Sequence, residues 1–253
     1  MIISHKHKFI FIHCPKTAGS SITSALAPLL GVRDIQIGHF PETIPLGIVP
    51  PLAMIARSFT FTGAKTIAGN IRAGKPMNKA FDAAVKASYR KALGPVPAHA
   101  SAVNVRRAFP KSWEEYSSFC VVRNPYDRVV SDYFYRTNKM STRPEFSNYL
   151  RAVLGDERNE LSSRLYGNPI KTWPLYTADS RPIVSRVLRY ENLEDDFPRF
   201  MASINVQPAP QLPRLKQGIR NEAGFRQFFQ SQDVDLMKRH FGEELDHYGY
   251  TIS

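Results

Sequence analysis

The sequence predicts an α/β fold built on a parallel sheet that helices cover on both faces. Three observations carry this expectation. Residues 8–13 and Ser117–Val122 are short apolar runs, and each gives way to a turn and then to a segment of helical spacing. A third run, residues 184–190, alternates and meets a helix start at Glu191 and Asn192. Strands that alternate with helices form parallel sheets whose crossovers lie on the sheet faces. A chain of 253 residues, 43% of them apolar, is long enough to bury one large core.

Each element follows from its residues. Residues 8–13 are rich in Ile and Phe, read as a buried strand, and stop at Pro15. Gly19, Ser20 and Ser21 lead into residues 22–30, which have helical spacing and stop at Gly31. From about residue 40 to 97 the pattern weakens, and this stretch is expected to be a helical insertion or lid. Within it Met77–Leu93 reads as one helix, capped by Asn78 and ended by Gly94. After Ser117–Val122, Asn124 is a helix N-cap and Pro125 a first helical residue. Asp127 then places a carboxylate near the helix N-terminus, and the helix runs to about Thr137. Pro208, Pro210 and Pro213 mark a loop, followed by helices at about 222–230 and 233–248.

The chain carries 34 basic and 22 acidic residues, a net charge of +12. Such an excess attracts polyanions without choosing among nucleotides, acidic sugars, nucleic acid or anionic lipid. Arg57, Lys65, Arg72, Lys75, Lys79, Lys86, Arg90 and Lys91 in the insertion suit either an acidic acceptor or a solvated basic face. Cys14 and Cys120 both sit in apolar stretches and read as buried free thiols, as in a reducing compartment. The N-terminal residues lack a long apolar core and a cleavage site, and the most apolar later stretch is broken by Pro45, Pro50 and Pro51. A cytoplasmic protein without a transmembrane segment is therefore expected.

Two motifs carry chemistry. Pro15-Lys16-Thr17-Ala18-Gly19-Ser20-Ser21 lies between a strand and a helix. A helix N-terminus presents unpaired N–H groups and partial positive charge, which suits phosphate. Gly19 permits close backbone approach, the hydroxyls of Thr17, Ser20 and Ser21 add donors, and Lys16 adds a full charge. In the second motif, Val122-Arg123-Asn124-Pro125-Tyr126-Asp127-Arg128-Val129-Val130-Ser131, Arg123 ends a buried strand and Ser131 lies two turns into the next helix. Ligands of open α/β sheets bind at the carboxyl ends of strands. Arg123 and Ser131 there make a second phosphate clamp; an ion pair between Arg123 and a core-edge carboxylate is an equal alternative.

Taken together, the two motifs resemble those of sulfotransferases that use 3′-phosphoadenosine 5′-phosphosulfate (PAPS). In detail the resemblance is to the carbohydrate branch that includes heparan sulfate 2-O-sulfotransferases and their bacterial relatives. His99 with Arg106 and Arg107, the Arg189-Tyr190-Glu191-Asn192-Leu193 run and the Asp246-His247-Tyr248-Gly249-Tyr250 terminus fit it too. Residues 40–97 match nothing in it. The resemblance implies a P-loop-like three-layer α/β fold with a central, mostly parallel sheet flanked by helices, as one domain over residues 1–253. It implies that Pro15, Lys16, Thr17, Ala18, Gly19, Ser20 and Ser21 hold the 5′-phosphosulfate of PAPS and that Arg123 and Ser131 hold its 3′-phosphate. The acceptor it implies is a hydroxyl, first of all on a glycan.

Seven histidines compete for the role of base. His5 and His7 lack further ligands at a metal spacing, and no metal is expected. His13 ends the first strand and His39 lies in Gly38-His39-Phe40. His99, after a proline-rich linker and before the second motif, is the choice, because the resembling family places its base there. A neutral imidazole near its ordinary pKa suits proton abstraction at neutral pH. Lys16 is the second catalytic candidate. Among rivals, a P-loop kinase would need a lysine after the glycines and a Mg²⁺-binding carboxylate, and the chain has neither arrangement. A non-catalytic polyanion-binding protein fits the charge, but no nucleic-acid motif accompanies it.

Overall fold

The computed structural model describes residues 1–155, 160–165, 170–213 and 224–252. Strand β1 (Ile2–Ser4) turns back into β2 (Phe9–Ile12), and α1 (Gly19–Leu26) with a 3₁₀ turn leads to β3 (Ile35–Gln36). The helices α2 (Phe40–Thr43), α3 (Leu52–Ser58), α4 (Phe61–Arg72) and α5 (Met77–Leu93) follow, then α6 (Ala102–Ala108) and α7 (Pro110–Glu115). Strand β4 (Ser117–Val122) feeds α8 (Pro125–Thr137), α9 (Phe146–Leu154), α10 (Glu160–Leu165) and α11 (Trp173–Tyr176). The hairpin β5 (Thr177–Ala178) and β6 (Arg181–Pro182), β7 (Arg186–Arg189), α12 (Leu193–Ser203) and α13 (Ser231–Tyr248) complete the chain.

By contact density the chain divides into two units. The first comprises Met1–Cys14, Ala18–Val121 and the described part of Pro174–Leu215. Its sheet has the order β3-β1-β2-β4-β7. β2 runs parallel to β4, with Ile12 beside Cys120, and β1 is antiparallel to both β2 and β3. β3, β2 and β4 therefore share one direction and β1 opposes them, so the central sheet is mixed but mostly parallel. Phe9, Phe11, Phe119 and Val121 point to one face, where Ile22 and Leu26 of α1 and Phe197, Phe200 and Met201 of α12 cover them. Ile10, Ile12 and Cys120, on the alternate positions, are equally buried. Burial on both faces is why β2 is a continuous apolar run rather than an alternating one.

The sequence reading missed β1 and β3. The polar residues between β1 and β2 hide the hairpin, whose turn is held by Asp34: its carboxylate accepts from Ser4 Oγ, from the amides of His5 and Lys6, and from Gly31. In the 40–97 segment, α2, α3 and α4 all pack on α5, which buries Ala80, Ala84, Val85, Tyr89 and Leu93. The α5 span matches the expectation, but Asn78 lies inside the helix and Pro76 is the capping residue.

The second unit comprises Pro15–Thr17, Val122–Trp173 and the described part of Lys216–Ser253. Asn124 caps α8 as expected, accepting from the Tyr126 amide, with Pro125 first in the helix. Val129, Val130, Tyr133 and Phe134 of α8 pack against Phe146, Tyr149 and Leu150 of α9 and Met237, Phe241 and Leu245 of α13. Arg128 is wholly buried beneath this layer and forms a bidentate pair with Glu244, at 2.8 and 2.6 Å, while Thr172 Oγ1 donates to the same carboxylate. The pair anchors α8 to α13, and Arg128 also donates to the carbonyl of Arg123 at 3.3 Å. The helix expected at 222–230 is only a 3₁₀ turn, Phe225–Phe228, within its described part; residues 222 and 223 lie outside the described residues. α13 starts at a Gln230/Asp233 capping box and stops at Gly249, whose φ of 64° lies in the left-handed region that favours glycine.

Candidate active site

Because Ile12 pairs with Cys120 in a parallel register, the segments that leave β2 and β4 depart from the same end of the sheet. The first begins with His13 and Cys14, both buried. Lys16 and Ala18 then both adopt left-handed backbone, with φ of 62° and 63°. For residues with a Cβ this conformation costs about 1–3 kcal/mol each, and such strain concentrates at functional turns. It reverses the chain so that Ala18 becomes the N-cap of α1, its carbonyl accepting from Ile22 at 3.0 Å. Ala18 offers no side-chain cap, and the first turn of α1 holds no acidic residue. The partial positive charge of the helix N-terminus is therefore not neutralised from within its own first turn. Gly19, Ser20 and Ser21 form that turn.

Gly19 has a reason the sequence did not reveal. A Cβ placed there would fall 1.8 Å from Nε2 of His13, so α1 can begin against the His13 imidazole only with glycine at this position. This internal contact is a requirement for glycine that stands beside the expected close approach of a ligand.

In the second unit, one stripe of α8 gathers the cationic groups. Arg123 donates through Nε to Asp127 Oδ2 at 2.7 Å, its second terminal nitrogen lies 2.7 Å from the same oxygen, and the first donates to the Lys16 carbonyl at 3.2 Å. Lys16 Nζ stands 3.9 Å from the centre of the Tyr135 ring. Asp127, Ser131 and Tyr135 are spaced i, i+4, i+8 and so share one face of α8. Ser131 consequently lies between the points where Arg123 and Lys16 engage the helix. Of the two readings of Arg123, the ion pair is present, with Asp127 as the carboxylate, and the side chain also holds the Lys16 turn.

In the first unit three histidines cluster. His99 ends the 3₁₀ turn Pro97–His99, just before Ser101 caps α6. Its Nδ1 lies 2.9 Å from the carbonyl oxygen of His13, while His13 Nδ1 lies 3.1 Å from Nε2 of His39. The ring centres of His13 are 4.5 Å from His99 and 4.7 Å from His39. A carbonyl only accepts, so Nδ1 of His99 carries the proton and Nε2 keeps the lone pair of a neutral imidazole. Burial pushes the His99 pKa down to about 4, against the raising effect of its bond to His13; positive charge at the N-terminal amine, His39 and Lys86 lowers it further. The expected near-ordinary histidine pKa is thus corrected: His99 is neutral across the whole physiological range.

The chain matches the model of the sulfotransferase family over residues 1–246. It belongs to the sulfotransferase family. Comparisons with curated proteins and with solved structures found no match. Sulfuryl transfer is accordingly the chemistry of this enzyme. In the sulfotransferase the residues picked out from sequence fall into two sets. Arg123 and Lys16 engage one stripe of α8 on which Ser131 also lies, and His13 stands against both His99 and Gly19 at the end of β2. Tyr135 and Asp127 were missed as partners of Lys16 and Arg123, although their four-residue spacing about Ser131 was legible. Cys14 and Cys120 are buried thiols outside any disulfide. No helix among the described residues is long and apolar enough to cross a membrane.

Proposed function

We propose that this sulfotransferase moves a sulfuryl group from PAPS to a hydroxyl of a carbohydrate acceptor, as a P-loop-like, three-layer domain of the heparan sulfate 2-O-like, bacterial type. The reading takes residues 1–253 as one domain, with 40–97 as a helical insertion over the core, acting in the cytoplasm, where free thiols such as Cys14 and Cys120 stay reduced. The observation that carries it is that Arg123 and Lys16 engage one stripe of α8 on which Ser131 also lies, with Lys16 itself in strained left-handed backbone. A donor with phosphate groups at both ends of a ribose needs two cationic clamps, and this donor set fits one.

PAPS supplies an activated sulfuryl group with a phosphate as leaving group. The chain's own residues do the rest. The ammonium of Lys16 and the amides of Gly19, Ser20 and Ser21 hold negative charge at the start of α1. Arg123 and Ser131 bind the 3′-phosphate, with Asp127 orienting the guanidinium. His99 takes the proton of the acceptor hydroxyl on Nε2, its ring steered by the Nδ1–H bond to His13. His13 is a positioning residue, and only Cys14 and Pro15 separate it from Lys16 in the chain.

The test is transfer from sulfur-labelled PAPS to a panel of oligosaccharides, phenols and hydroxylated lipids. Label on a carbohydrate hydroxyl supports the reading. Label confined to phenols or lipids removes the carbohydrate assignment, and turnover with ATP but not PAPS removes the donor assignment.

A further inference from the structure

Seven of the eleven large apolar side chains that stand exposed among the described residues fall between residues 46 and 77. Phe61 is 86% exposed, Val49 77% and Phe59 74%. The same stretch has an unusual charge pattern. From Thr43 to Phe81 there is no Asp or Glu, whereas Arg57, Lys65, Arg72, Lys75 and Lys79 are all present and all exposed.

Helix α4 shows how the two features combine. Unlike an ordinary surface helix, it leaves large apolar side chains, Phe61 and Ile71, exposed beside its cations. The side that packs inward carries Gly63, Thr66, Ile67 and Asn70, buried or half-buried, and Gly63 is held so close to α3 that a Cβ would fall 2.4 Å from the Ser58 carbonyl oxygen. The outward side carries Phe61, Lys65, Ala68 and Arg72 at i, i+4, i+7 and i+11, all exposed. One exposed stripe about 18 Å long thus carries the Phe61 ring at its start and two cations after it, with the exposed Ile71 beside Arg72. Phe59 ends α3 just before this stripe, and Leu52, seven residues earlier, shares its side of α3.

We propose that this face of α3 and α4 docks on a membrane surface rich in anionic lipid. The observations favour a bilayer over a second copy of the chain, because two copies of a +12 protein would bring cationic, acid-free faces together. They favour it over an acidic protein because the exposed Phe59, Phe61 and Ile71 stand on open helix surface among Arg57, Lys65 and Arg72. Such a surface lets rings enter the headgroup boundary while long cationic side chains reach the phosphates. Docking is independent of the sulfuryl-transfer reading and needs no helix that crosses the bilayer.

The test is flotation of the full chain with vesicles of phosphatidylcholine and phosphatidylserine against vesicles of phosphatidylcholine alone, at low and high salt. Binding is expected to the anionic vesicles only and to fall with salt. Lys65→Glu with Arg72→Glu should weaken binding by at least about 25-fold, taking about fivefold for each cation near an anionic surface. Phe59→Ser with Phe61→Ser should abolish it at equal lipid. Circular dichroism and binding of 3′-phosphoadenosine 5′-phosphate are expected to stay unchanged in both variants. Equal binding to both vesicle types, no binding to either, or binding unaffected by the charge-reversed pair overturns the proposal. So does a dimer in sedimentation velocity that the Phe variant dissolves, or binding only to an acidic protein.

Discussion

Replacing His99 by asparagine separates its two ring nitrogens. An asparagine amide can still donate to the His13 carbonyl from near the Nδ1 position, but it offers no lone pair where Nε2 stands. If His99 is the base, kcat should fall by about two to four orders of magnitude. Donor affinity should be unchanged, because the base acts on the acceptor. The pH profile carries a second signature. The imidazole protonates near 6.5 in an unfolded chain and at about 4 in the fold, because burial disfavours its charged form. Between those values the unfolded chain holds the extra proton, so stability is complete above about pH 6.5 and declines as pH drops toward 4. Over that window His99 alone removes up to about 3 kcal/mol. Thermal unfolding of wild type and His99→Asn from pH 7 to 4 should therefore give curves that converge on acidification, the variant losing less. For turnover, the wild-type acidic limb should lie well below the ordinary histidine range. Parallel stability curves would refute the burial argument, and a variant that turns over like wild type would refute the assignment of the base.

Three further outcomes follow from the geometry. Arg123→Ala should weaken 3′-phosphoadenosine 5′-phosphate by roughly 1.5–3 kcal/mol per lost charge-assisted bond and adenosine 5′-phosphosulfate far less, read by calorimetry; equal losses would remove the 3′-phosphate role. Gly19→Ala should destabilise the fold by about 1–3 kcal/mol through the collision with His13, and His13→Ala in the same chain should relieve part of that loss in denaturant melts. Arg128→Met should cost about 3–5 kcal/mol by leaving Glu244 buried without its partner, and adding Glu244→Leu should recover most of it; no recovery would show that the pair is not the anchor of α8 on α13.

How much of this was legible in the sequence depended on whether a signal was local. The α8 start was readable to the residue, because Asn124, Pro125 and Asp127 act on the helix they begin. The α5 span was readable from its period, while its cap was misplaced by two residues, since Pro76 rather than Asn78 turns the chain. β1 and β3 were invisible. Each is short, and their pairing depends on the Asp34 carboxylate gathering amides from two distant segments. The same holds at the site. Lys16, Arg123 and Ser131 were candidates by residue type and local spacing alone, and family membership supports sulfuryl transfer in general. The contact of Gly19 with His13, the depressed pKa of His99 and the stacking of Lys16 on Tyr135 are tertiary facts with no local trace.

The central claim is that the turn of Lys16 and the Arg123 clamp select a nucleotide phosphorylated at the 3′ position. Thermal unfolding with 3′-phosphoadenosine 5′-phosphate, AMP and ATP at equal concentration tests it most directly. At a hundredfold excess over Kd a ligand that binds only the folded state adds about 2.7 kcal/mol. The account predicts that gain for 3′-phosphoadenosine 5′-phosphate, little for AMP or ATP, and its loss in Lys16→Ala. Stabilisation by ATP or AMP equal to that by the 3′-phosphorylated nucleotide, or a full shift retained in Lys16→Ala, would contradict it.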